Sequence, residues 1–259
     1  MPPLALQCLK AGRHVVCEKP LALTTAECNA MMATAKKQRL VLSTYHNRHW
    51  DGWILRAVEQ IKKNKVIGDV FRVEAHMGSY HKPGDWWRSS RSISGGILYD
   101  WGVHLLEYTL QLVDSEVSEV SGYSKTGFWG PQSKWKNDCI EDEGFASIRF
   151  KNGTWATLTI THTDSNPKPG FLEITGTKGT YLLEHEAYTL IRHEDGVKKS
   201  RRDKHYESQC HLFYKNIAAH LTQGTPLIIT PEWSRRPIHI LDLAVKSARS
   251  GKALRARYS

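Results

Sequence analysis

The sequence predicts an α/β segment that continues into an α+β domain, a large and mostly antiparallel open sheet with helices on one face. Three observations predict it. The first forty-five residues alternate helix, strand, helix and strand. Hairpin signals then recur at Asn152-Gly153, Lys178-Gly179 and Asp195-Gly196, each between alternating runs. The chain closes on two helical segments. With 259 residues, 40% hydrophobic and 24% charged, it has the composition of a globular chain able to bury a core.

Residues 3–11 read as a short apolar helix closed by Gly12, and 14–18 as a buried strand. In 24–38, "TTAE" places Thr24 and Glu27 in a capping box at the start of a helix. "RLVLSTY" supplies a second strand, parallel to the first because a helix joins them. Two strands alone are not a stable sheet, so this segment must lean on something before it or beside it. Trp53, Leu55, Val58 and Ile61 predict a helix over 50–64, and "GDVFRVEAHMGSY" a strand. The hairpin runs come next. The closing helices are predicted at 206–222, ended by Gly224, and at 231–250, opened by Thr230-Pro231 and ended by Gly251.

Several function classes fall away. No run approaches the roughly 18 apolar residues of a membrane span, and the opening lacks a basic region ahead of an apolar stretch, so a cytoplasmic protein without a membrane partner is expected. Five scattered cysteines without a CxxC spacing predict reduced thiols. The net charge of +10 is dispersed in pairs such as Lys62-Lys63 and Arg201-Arg202, which predicts no nucleic-acid partner but suits an anionic ligand. Thirteen histidines show no HExxH or comparable spacing, so no metal is expected.

Two stretches carry chemistry. In "SGGILYDWGVHLLEYTLQLV", a helix beginning after Gly95-Gly96 puts Asp100 and His104 on one face, one turn apart. In "HVVCEKPLAL", Lys19 stands at the mouth of a strand between Glu18 and Pro20. Each has a bland reading. An Asp/His pair on a helix is more often a surface pair, Glu18-Lys19 is equally a salt-bridged loop end, and Trp86, Trp87 and Arg88 equally a packed aromatic cluster. Together, Lys19, Asp100 and His104 fit one reaction. A histidine takes the proton of an alcohol and an ammonium steadies the developing alkoxide as hydride leaves carbon.

"AGRHVVCEKPLALTTAE", "YHNRHW", "IGDVFRVE", "WWR" and above all "GGILYDWGVH", in that order, resemble the glucose-fructose oxidoreductase / inositol dehydrogenase (Gfo/Idh/MocA) family over essentially the whole chain. The resemblance implies an NAD(P)-dependent oxidoreductase acting on a sugar, polyol or related carbohydrate. It places Lys19, Asp100 and His104 at the catalytic positions, with His104 as acid/base. It places Glu18, Lys19, Pro20, Tyr45, Asn47 and Arg48 along the cofactor, and Trp86 and Arg88 with Asp100 and His104 at the substrate. Arg88, His162 and Trp129 are further pocket candidates, and a homo-oligomer paired through the sheet face is expected. The division implied is 1–46 as a remnant of the dinucleotide-binding Rossmann domain and 47–259 as the substrate-binding and oligomerisation domain, with helix 231–250 packing back on the first.

The departure is in the cofactor motif. No G-x-G-x-x-G occurs anywhere in the sequence, so the pyrophosphate-binding turn is absent. The expectation is therefore a chain lacking on the order of 75 residues of Rossmann fold, inactive alone, with 14–18 and 40–45 exposing an apolar edge. The alternative is a non-catalytic sugar-binding or oligomerisation module of the same descent.

Overall fold

The computed structural model describes residues 2–257. Helix α1 (Pro2–Lys10) leads to strand β1 (Val15–Cys17), helix α2 (Thr25–Gln38) and strand β2 (Leu42–Thr44), and β1 pairs with β2 in parallel. The capping box forms as predicted. Thr24 Oγ1 accepts from the Glu27 amide at 3.2 Å, and the Glu27 carboxylate accepts from the amides of Leu23 and Thr24 at 3.1 and 3.0 Å.

The predicted helix over 50–64 is divided. A 3-10 turn covers Asn47–Trp50, α3 covers Gly52–Val58, and a π-helical turn covers Glu59–Lys63, where the Asn64 amide reaches back to Glu59 O at 3.0 Å. Strand β3 (Val70–Gly78), the short helix α4 (Arg91–Ser94) and helix α5 (Gly102–Leu112) come next. The remaining strands are β4 (Val117–Lys125), β5 (Glu143–Phe150), β6 (Trp155–Thr161), β7 (Leu172–Gly176), β8 (Gly179–Leu183), β9 (Ala187–Glu194), β10 (Val197–Lys204) and β11 (Leu254–Arg255). Helices α6 (Leu212–Gln223) and α7 (Pro231–Ser250) precede β11.

Nine strands form one sheet in the order β10-β9-β8-β7-β3-β6-β5-β4-β11, antiparallel except for the central β3–β6 pair. Burial alternates as a one-sided sheet requires: Gly144, Ala146, Ile148 and Phe150 of β5 are buried, whereas Phe145 and Ser147 lean outward. Helices α5 and α7 cover the inner face. At Gly122 of β4 an added Cβ would collide with the backbone of Ala244, so only glycine lets α7 lie this close.

Three local expectations are corrected. The β7–β8 turn is Thr177-Lys178, one residue earlier than predicted, because Gly179 already pairs with Gly176 in the ladder. Helix α6 begins at Leu212, not 206. Residues 206–211 are tied down by tertiary bonds instead, with the Gln209 amide on Trp50 O at 2.8 Å and Ser208 Oγ accepting from the Gly52 amide at 3.0 Å. The apolar edge is only half present. Helix α7 and the segment before it cover β2, whose three residues are buried, and Ser43 Oγ donates to Ile229 O at 2.8 Å. Only β1 keeps an open side, with Val16 38% exposed.

Asp195-Gly196 forms the predicted tight hairpin, both residues at positive φ (53° and 77°). Helix α7 runs as predicted from a Thr230 cap and Pro231 to Gly251. It also packs on the first segment: the Thr25 amide and hydroxyl donate to Asp242 Oδ2 at 3.0 and 2.8 Å, and Arg235 Nε donates to Asn29 Oδ1 at 2.6 Å. One continuous hydrophobic core therefore runs from Leu9 and Met31 to Tyr181. The five cysteines are free thiols.

Candidate active site

The site forms where the C-terminal ends of β1 and β2 meet the start of α5. Beyond β1, the cis Lys19–Pro20 peptide carries the chain toward α2. Lys19 turns away from Glu18 and crosses to Asp100, where its Nζ donates to Oδ1 at 2.6 Å and to the main-chain oxygen at 2.9 Å. Glu18 itself is exposed.

That second bond corrects the helix prediction. A carbonyl held by Lys19 is not the one the helix uses: the amides of His104 and Leu105 both bond to Trp101 O at 3.0 Å, and α5 starts at Gly102. Asp100 therefore ends a 3-10 turn (Ile97–Tyr99), and His104 lies in the first turn of α5. They are not one turn apart on a single helix. Gly102 is near the helix start, and its missing Cβ leaves room for Leu158 of β6.

His104 is buried at 5% exposure, and its Nδ1 has no hydrogen-bond partner. Burial pushes its pKa well below the ordinary histidine value, and the charges of Lys19, His46 and Arg48 push the same way. Trp101 stands edge-on to it at 5.6 Å between ring centroids, and the Arg48 guanidinium lies 4.7 Å from the Trp101 ring. Arg48 also donates to Asp51 Oδ2 at 3.1 Å, which Tyr108 OH holds at 2.7 Å. Asn47 opens the same 3-10 turn, and Tyr45 packs against Phe213 at 5.1 Å.

Beside this cluster lies a cavity of about 550 Å³ lined by Asp100, Trp101, Trp86, Arg88, His81 and His162, among others. Trp86 and Arg88 are thus both pocket residues and a packed cluster: the Arg88 guanidinium lies 4.7 Å from the Trp86 ring and 4.9 Å from that of Trp87, with its Nε 3.8 Å from Asp100 Oδ1. His162 faces His81 at 4.5 Å, and burial lowers its pKa to about 4. Trp129 is not on the wall. Its Nε1 donates to His162 O at 2.9 Å from behind. A larger groove of about 1010 Å³, between α2, α3, α5 and α7, holds none of the predicted site residues.

Two family models match: the C-terminal alpha/beta domain of an oxidoreductase family over residues 58–255, and its NAD-binding Rossmann fold over residues 2–46. The chain belongs to the Gfo/Idh/MocA oxidoreductase family. Among Gfo/Idh/MocA relatives, the uncharacterized oxidoreductase YdgJ of Escherichia coli is 36% identical over 117 residues, 45% of this chain and 34% of that one. The chain thus spans about a third of the first relatives it matches. A myo-inositol 2-dehydrogenase of Thermotoga maritima is 25% identical over 97% of this chain and 75% of its own length. An NAD-binding protein from Listeria innocua has the same fold, with a TM-score of 0.80 at 25% identity, covering 98% of this chain and 78% of that one.

The Gfo/Idh/MocA assignment implies a nicotinamide dinucleotide, and the residues present fit one end of it. The reacting end suits the strand termini, where Lys19 keeps a donor free and the buried His104 ring lies within reach of its charge. The phosphate end has no such match among the described residues. At the start of the helix after β1, the Thr25 amide is on Asp242 and the Glu27 amide on Thr24, and the carboxylates of Asp242 and Glu27 there oppose an anion.

Sequence reasoning missed His46, His49 and Glu107. Glu107 is 1% exposed, paired with His49, and bonded to Trp233 Nε1 at 3.1 Å and Gln111 Nε2 at 3.0 Å. Its signal was an acid one turn after His104 on the apolar side of α5.

Proposed function

We propose that this protein takes part in NAD(P)-dependent oxidation or reduction of a sugar, polyol or related carbohydrate, with Lys19, Asp100 and His104 as its catalytic residues. One observation carries the reading: an ammonium anchored by two bonds to Asp100 sits in the charge field of a buried, neutral imidazole. A bound nicotinamide dinucleotide, NAD or NADP, supplies the hydride acceptor. His104, neutral at physiological pH, takes the hydroxyl proton on a ring nitrogen. Lys19 has three N–H donors and Asp100 uses two, so the third is left for the substrate oxygen, where it steadies the developing negative charge. Trp86, Trp101 and Arg88 offer a ring face and a cation to a carbohydrate in the 550 Å³ cavity. Glu18, Pro20, Tyr45, Asn47 and Arg48 shape the strand ends along the cofactor.

Myo-inositol 2-dehydrogenase and 1,5-anhydro-D-fructose reductase among the relatives support a carbohydrate substrate class. The proposed division is 1–46 and 47–259, and family models over residues 2–46 and 58–255 support it. Self-association is placed on the outward sheet face, which presents Tyr123 beside Phe145 at 5.9 Å. Its test is the mass in solution, and a monomer removes it.

The carboxylates at the N-terminus of α2 favour one second reading, a module that binds carbohydrate without turning it over. A panel of inositols and aldoses, assayed with NAD and NADP for reduced cofactor at 340 nm and for binding by calorimetry, separates the two. Reduction supports the oxidoreductase. Saturable binding without reduction supports the module, and neither result removes both.

A further inference from the structure

His46 lies just past β2 and is 1% exposed. Neither of its ring nitrogens has a hydrogen-bond partner, and the same holds for Nδ1 of His104. Three such atoms belong to two neighbouring rings, nearly perpendicular with centroids 6.4 Å apart. A buried polar atom left unpaired is costly, so three together point to a shared small partner. Rings with centroids this far apart are out of reach of a direct N–H···N bond and leave room for one bridging water between them. A metal is a poorer occupant, since no group of His, Cys, Asp and Glu among the described residues could hold one.

We propose that one buried water links Nδ1 of His104 to a ring nitrogen of His46, making His46 a positioning residue that fixes the tautomer of His104. The proposal rests on the catalytic reading of His104. A base facing substrate needs its Nε2 free of hydrogen, which requires the hydrogen on Nδ1. Nδ1–H then donates to the water, and the water donates to the bare nitrogen of His46. Both rings must be neutral for this pattern. Burial depresses both, Lys19 and His49 add to it at His46, and Glu107 opposes; Lys19, His46 and Arg48 act on His104.

The test is long-range ¹H–¹⁵N correlation on the histidine-labelled full chain at neutral pH, in the wild type, His46→Phe and His46→Asn. The expected wild-type pattern is a single Nδ1–H tautomer at His104. His46→Phe should convert it to a mixture, and His46→Asn, which keeps a polar atom toward the water, should restore it. A wild-type His104 in the Nε2–H form, or an unchanged tautomer in a folded His46→Phe, overturns the proposal. If His46→Phe does not fold, the wild-type tautomer and His46→Asn still decide. The readout needs neither substrate nor cofactor, so failure of the oxidoreductase reading shows separately, as absent reduction with the tautomer coupling intact.

Discussion

Lys19 and Asp100, 81 positions apart, are joined twice, through the carboxylate at 2.6 Å and the carbonyl at 2.9 Å. This two-point attachment fastens the end of β1 to the turn before α5 and sets where that helix begins. Lys19→Ala removes both bonds and the spare donor, and turnover is expected to fall about 10²–10⁴-fold. The pair is partly exposed, so stability should change by no more than about 1 kcal/mol. Initial rates with an unfolding curve check both, and a wild-type rate takes Lys19 out of the mechanism.

His104→Ala should lower the rate over a similar range while the fold is kept. The pH profile is the sharper measurement. Burial holds the His104 pKa well below 6.5, so the base is already free of its proton at neutral pH. In the oxidation direction, the acid limb of kcat/KM is expected to lie clearly below pH 6.5. A limb at 6.5 or above would mean that another group is the base.

Acid should destabilise the protein before its carboxylates titrate. His46 is buried with its pKa lowered to about 4, against 6.5 unfolded, so between these values the unfolded chain binds more protons. Its contribution is complete above pH 6.5, falls as pH drops through the window and is gone below about 4. The loss is on the order of 3 kcal/mol for this group. Urea midpoints at pH 7.5 and 4.5 measure it together with the shares of His104 and His162, and His46→Phe should reduce the difference.

Glu107→Leu should cost about 3 kcal/mol, because it removes the buried acid that pairs the half-buried His49 ring, Trp233 indole N–H and Gln111 amide. Chemical denaturation checks this. Equal stability would show that the cluster can repack without its acid.

What could be read from the sequence was local or covalently spaced. The Thr24–Glu27 box, the Asp195-Gly196 hairpin and the limits of α7 depend on residues within a few positions of each other, and each formed as expected. The start of α5 did not, since it is decided by a lysine 81 positions away. The start of α6 failed similarly, because Trp50 and Gly52 claim the preceding residues. At the site, no spacing paired Lys19 with Asp100; their fit to one reaction and the family resemblance brought them together. His46 was invisible because nothing local distinguishes a buried imidazole from an exposed one.

The lone parallel pairing of β3 with β6 bears on how the chain is made. Strand β3 is hydrogen-bonded on one side to residues 155–161 and on the other to 172–176, so neither neighbour exists when it leaves the ribosome. Its Val73 and Ala75, fully buried in the finished sheet, must wait through α5 and two hairpin strands for cover. The central seam thus closes only once β6 and β7 have been made, and nascent chains should be most prone to aggregate while residues 79–154 are being added.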